Sequence, residues 1–260
     1  ASIQPSENLS GKNAEDVTEL KTIIKLQRNN GAAVSKNLDD KAYTWENGRL
    51  VGISFNDVAG GLEGGLDVRG LSALRSLDCS NGNLKLLDAS GCENLVSLNV
   101  SGNAGLKLLD IEGCVNLEGL DCSNCILLNL DVSQCGELEV LNCFVNQISV
   151  LDVSNCPQLQ DLNCDGNKIA NIDVSNCDQL EELSCQSNLL TTLDVSNCLK
   201  LQSLYCYSNK IETMDVSNCG ALQVFVCNDN LLTNLDLTNC TELAYLKCDS
   251  SVTVIGYEQQ

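Results

Sequence analysis

The chain has 260 residues, of which 43% are hydrophobic but only 3% aromatic, with two prolines, seventeen cysteines and no histidine. The missing histidine excludes Ser-His-Asp and Cys-His catalysis and every His-ligated metal site. A net charge of −20 argues against nucleic acid and anionic membrane surfaces as partners, since both are polyanions.

In chain order, Ala1 to Lys12 is polar and compatible with the segment that follows a removed export signal. Asn13-Ala-Glu-Asp16 has the form of a helix N-cap with an acidic first turn. Val17, Leu20, Ile23, Ile24 and Leu26 then recur mostly at helical spacing, which predicts a helix over about 14–28. Tyr43 to Leu50 places Asn47-Gly48 between apolar residues, the signal of a hairpin over about 43–52. Leu50-x-x-Ile53-x-Phe55 reads as the first coil strand. Residues 1–48 are therefore expected to form an N-terminal cap, with Trp45 over the open core edge, and 49–260 to form the second unit. No apolar stretch approaches the roughly 20 residues that cross a bilayer, so no membrane insertion is expected.

From there the chain repeats. Cys135, Cys156, Cys177, Cys198, Cys219 and Cys240 are 21 residues apart, and so are Cys143, Cys164, Cys185, Cys206, Cys227 and Cys248. A fixed period in this range is the mark of a solenoid. One unit reads Leu159-x-x-Leu162-x-Cys164-x-x-Asn167-x-Ile169-x-x-Ile172-x-Val174-x-x-Cys177, and both halves follow the leucine-rich-repeat pattern. The triplets Leu162-Asn163-Cys164 and Ile172-Asp173-Val174 alternate as a strand with one buried face does. Each coil is thus expected to give two short strands, stacked into two parallel sheets on opposite sides. The fold class is a mostly β α/β repeat: a leucine-rich-repeat solenoid of about 21-residue coils with parallel sheets and a helical N-terminal cap. The tail from Val252 to Tyr257 is short, so either it folds over the last coil, or the chain continues, or two molecules associate end to end through that coil.

The repeated unit Leu-Asp-Val-Ser-Asn-Cys-x-x-Leu-x-x-Leu-x-Cys resembles the secreted or cell-surface leucine-rich-repeat proteins of bacteria, the internalins among them, over about residues 50–250. Segment 14–66 resembles the cap region of such proteins. The resemblance implies extracellular or cell-surface protein recognition; no family binding residue is carried over, because the unit here is 21 residues against about 22 in internalins.

Stacked equivalent residues lie about 4.8 Å apart, whereas a disulfide wants Cβ atoms roughly 3.5–4.5 Å apart. Most of the thiols are therefore read as reduced, buried spacers. Cys122-Ser-Asn-Cys125 is a CxxC without a redox or zinc context and is read the same way. Asn146, Asn167, Asn188, Asn209 and Asn230 form an inward column expected to bond loop backbone of their own and neighbouring coils. Asp152, Asp173, Asp194 and Asp215 belong to an outward column, read as a structural ladder held by Ser and turn amides, with a calcium ladder as the alternative. No metal or cofactor is assigned. Asn8-Leu-Ser10, Asn99-Val-Ser101 and Asn239-Cys-Thr241 match glycosylation acceptors but are not read as functional.

Comparison between coils separates a monotonous face from a variable one. Second-half exposed positions repeat Asp, Ser and Asn, while first-half positions differ from coil to coil. Phe144, Asp165, Gln186, Tyr205, Tyr207, Asn228, Tyr245 and Lys247 lie there and are the candidate ligand contacts, since exposed aromatics anchor interfaces. The expected function is a non-enzymatic module, secreted or at the cell surface, that binds a protein through this face. A carbohydrate ligand and a passive spacer within a larger surface protein are the alternatives.

Overall fold

The computed structural model describes residues 11–257. The cap begins with a helix at Ala14–Asn29. Asn13 starts it because its Oδ1 accepts the N–H groups of Glu15 and Asp16, two donors that the first turn cannot satisfy internally. Val17, Leu20, Ile23 and Ile24 face the core, whereas Leu26 lies exposed. Two polar groups on the helix seat it on the array. Buried Asp16 takes the Arg49 guanidinium and the Leu50 N–H, and buried Gln27 bridges Glu63 and Gly65 backbone. Trp45 packs half-buried against the core and donates Nε1–H to the Leu38 carbonyl.

Strands Tyr43–Glu46 and Arg49–Ser54 form an antiparallel hairpin across Asn47-Gly48, both residues at positive φ. Arg49–Ser54 then opens a stack of parallel three-residue strands, one per coil, from Ser76–Asp78 to Tyr245–Lys247, making a sheet of eleven strands. Register runs straight through it: Leu141, Leu162, Leu183, Leu204 and Phe225 are successive partners. These residues and the cysteines two positions on are buried in one continuous core. All seventeen cysteines are unpaired, and only Cys248 is not fully buried.

The second half does not form the continuous sheet expected of it. Strands appear only at Glu63–Asp67, Asn83–Asp88 and Leu108–Asp110, and again at Asn234–Asp236 and Thr253–Ile255. From Leu130 to Asp215 the triplets stay alternately buried and exposed but do not pair. Alternation requires only extended backbone with one side in the core, whereas a ladder needs adjacent coils held in hydrogen-bond register. In these coils one backbone bond per step remains, as from Lys168 N–H to the Ile148 carbonyl and from Leu189 N–H to the Ile169 carbonyl. Side chains make the rest. Asn176, Asn197, Asn218 and Asn239 each donate to the carbonyl of Ser154, Ser175, Ser196 or Ser217 one coil back, and the cysteines from Cys156 to Cys240 in the first series turn their thiols on valine carbonyls of the previous coil, as Cys156 does on Val132. These bonds explain why the Asp-Val-Ser-Asn-Cys face is uniform.

From Asn81 to Asp229 each coil turns out of the main sheet through one left-handed residue, directly before the asparagine column. Gly102 and Gly166 hold it at no steric cost and Asn81 and Asn124 at little, but Val145, Ser187, Ser208 and Asp229 occupy it in the other coils, at φ of 53 to 55°. Val145 is β-branched and half exposed, so it bears strain with little packing in return. Val145→Asn is expected to raise stability by roughly 1 kcal/mol, because Asn tolerates this conformation. A urea midpoint at or below that of the parent would refute the strain.

Candidate functional site

The variable face is the outer surface of the main sheet, where three-residue strands point their first and third residues away from the core. A shallow depression of about 580 Å³ lies near its C-terminal end. Gln186, Tyr205, Tyr207, Asn228, Tyr245 and Lys247 line it, together with Glu182, Ser184, Val226 and Asp229. Six of the eight candidate residues thus meet in one place. Tyr205 and Tyr207 flank buried Cys206 and are half-buried, while Tyr245 is exposed on the last strand of the sheet. Ser184 and Val226, which the pattern placed outward among the variable positions, are buried at 7% exposure, so they form floor rather than rim. Asn228 donates Nδ2–H to Asp229, and its Oδ1 is buried with no donor.

Phe144 and Asp165 lie outside this depression. Phe144 is half-buried three coils toward the N-terminus. Asp165 is engaged within the solenoid: both carboxylate oxygens accept the Ser184 hydroxyl, and Oδ1 also accepts the Gln186 N–H. It is better described as a bracket between coils than as a free ligand contact. Burial pushes its carboxyl up to about 6, and the Glu182 charge adds to this against the hydrogen bonds from Ser184 and Gln186. A carboxyl whose pKa rises on folding stabilises the fold below its unfolded value near 3.8 and loses that contribution as pH climbs through about 6. The unfolding midpoint of the parent should therefore fall, relative to Asp165→Asn, between pH 4 and about 6.5. Parallel profiles of parent and variant over that window would show that Asp165 does not titrate there.

The asparagine column lies beneath this face. Asn146, Asn167, Asn188, Asn209 and Asn230 each accept a backbone N–H of the previous coil on Oδ1. Each donates Nδ2–H to two cysteine carbonyls, one in its own coil and one in the previous coil. Cys125, in the same column, aims its thiol at the Val100 and Ser123 carbonyls instead. Its pKa is pushed up to about 11 by burial, and that of Cys122 rises well above the ordinary value for the same reason, so neither thiol of the CxxC is poised as a thiolate.

On the other side, Asp152, Asp173, Asp194 and Asp215 are exposed, and each accepts the N–H of the Ser two residues on. The Ser hydroxyl and then this N–H hold each carboxyl below the usual carboxylate range. Among the described residues no group of three or more His, Cys, Asp or Glu is placed to hold a metal ion. Of the two glycosylation tripeptides within the described residues, Asn99 accepts the Ser101 N–H and hydroxyl on Oδ1, and Asn239 donates Nδ2–H to the Ser217 carbonyl; Asn8 lies outside the described residues. A second depression, of about 610 Å³, lies where the second-half strands stop after Leu108–Asp110, and exposed Leu86 and Leu108 line it. It is a step left by the end of that short sheet.

The solved structures that this chain resembles share the stack of coils. The functional domain of InlJ from Listeria monocytogenes, which includes a cysteine ladder, is 32% identical over 72% of this chain and 51% of its own, with a TM-score of 0.52. This chain folds as a leucine-rich-repeat solenoid. Its solenoid is internalin-like, with thiols stacked in two columns. A leucine-rich-repeat protein of Leptospira interrogans is 23% identical, with a TM-score of 0.63 over 71% of this chain and 51% of its own. Internalin C2 of Listeria monocytogenes is 20% identical, with a TM-score of 0.52 over 98% of this chain and 99% of its own. The chain spans about half the length of the first two. No family model matches the sequence, and no curated protein matches it either. Among the described residues, no helix is long and apolar enough to cross a membrane.

Proposed function

We propose that this leucine-rich-repeat protein is a non-enzymatic recognition module, extracellular or at the cell surface, that binds a protein partner through the variable face of its main sheet. The observation that carries this reading is where variation falls. Every coil must satisfy the same backbone groups, and the Asp-Ser-Asn side does so identically coil after coil. The outward residues of the main sheet make few of those bonds, yet they change at each step, and six of them converge on one depression with three tyrosines. Tyrosine supplies large contact area with little side-chain freedom to lose, which suits it to anchor an interface. The extracellular setting rests on the likeness to InlJ and the internalins.

The Tyr205→Ala, Tyr207→Ala double variant tests it. On an array of extracellular proteins and glycans, the parent chain should bind a protein and the double variant should lose that binding by about tenfold or more, while its melting midpoint stays close to the parent's. A protein ligand bound equally by both would remove the face from consideration. A glycan hit lost in the variant would keep the face and change the ligand class.

A further inference from the structure

This inference rests on the reading just given, that the variable face is the recognition surface. We propose that the depression seats an extended, basic segment of the partner protein, with a Lys or Arg side chain held by Glu182 and Asp161 and the segment running over Tyr205, Tyr207 and Tyr245 toward Lys247.

Asp161 and Glu182 are register partners on adjacent strands of the main sheet, so their side chains leave the surface side by side. Like charges directly opposite in a sheet repel, and among the described residues no salt bridge reaches either one. Both carboxyls are raised above their ordinary values, by burial first and, for Glu182, also by the charge of Asp161. A cation placed between them removes the repulsion, and a guanidinium is wide enough to meet both.

Next to Glu182 the depression continues over Tyr205 and Tyr207, whose ring faces attract cations as well as apolar stems. Carboxylates and ring faces favour the same ligand chemistry. The net charge of −20 draws such a segment in from a distance.

Lys247 fixes the other end. From the strand of Glu182 to the strand of Lys247 is three steps of the sheet, roughly 14 Å at about 4.8 Å per strand, which about four residues of extended chain span. An acidic side chain or carbonyl group of the segment therefore meets Lys247 when its basic residue meets Glu182. A neutral glycan donates hydroxyls to the Asp161–Glu182 pair but leaves its charge repulsion in place.

A random peptide library panned against the full chain tests the assignment. Enriched peptides should carry Lys or Arg. Their affinity should fall roughly two- to fivefold in Glu182→Gln, the upper part of the range for an exposed charge pair, and not in Glu181→Gln, the neighbouring exposed carboxylate. It should also fall as salt is raised. Enriched peptides without basic residues that still require Tyr205 and Tyr207 would overturn the cation site and leave the recognition face standing. Peptides indifferent to the Tyr205→Ala, Tyr207→Ala variant would sink both. Failure to enrich any peptide would overturn the proposal, and a glycan bound to the same face would then take its place.

Discussion

Phe225→Ala should cost about 3–5 kcal/mol of stability, and Phe225→Leu far less. Phe225 is fully buried and takes the place that Leu141, Leu162, Leu183 and Leu204 hold in the coils before it. It is among the largest side chains of a core with few rings. Alanine would open a cavity between two sheets of backbone bonds that cannot close independently, because each strand is held to the coil on either side. Leucine restores the residue used by the other coils and leaves a void of only a few atoms. Equilibrium urea unfolding checks both variants. A loss below about 1 kcal/mol for alanine would mean that the last coils are loosely packed and stand apart from the rest of the array.

Asn188→Leu should be comparably severe, at roughly 3 kcal/mol, although leucine matches the column's apolar surroundings. Asn188 Oδ1 accepts the Ile169 N–H, and Nδ2 donates to the carbonyls of Cys164 and Cys185 at 3.0 and 3.1 Å. Removing the amide orphans one donor and weakens two acceptors at a buried position, each costing about 1–3 kcal/mol before relaxation. Asn188→Asp is the informative companion: it keeps the acceptor, loses the donors and sets a buried charge against two carbonyls. An unchanged melting midpoint for Asn188→Leu would show that the column fills space and does not hold adjacent coils together.

The periodicity of the chain determined the architecture before any coordinates. A 21-residue period forces equivalent side chains to stack, so the alternation in Leu162-Asn163-Cys164 identified the main sheet and its buried face. The cap helix was legible in Asn13 and the Val17-to-Ile24 spacing because capping and amphipathicity are local. The same local logic misjudged the second half. Ile172-Asp173-Val174 alternates as well as Leu162-Asn163-Cys164 does, but whether two coils approach closely enough to pair is not local, and side-chain bonds from residues such as Asn176 replace the ladder there. Nor was the role of Gln27, which ties the helix to a strand 36 residues on, visible in a pattern.

For the candidate site, the sequence by itself identified which face varies, since comparing coils with one another needs no third dimension. Only the tertiary structure decided which variable residues act together. The stack brings residues one, two and three periods apart within reach, gathering Gln186, Tyr205, Tyr207, Asn228, Tyr245 and Lys247 around one depression. It also turns Asp165 onto Ser184, whose hydroxyl, with the Gln186 N–H, offsets part of the cost of taking the carboxylate out of water. Period and alternation follow from bonds along the chain, but convergence depends on where each coil settles on the next.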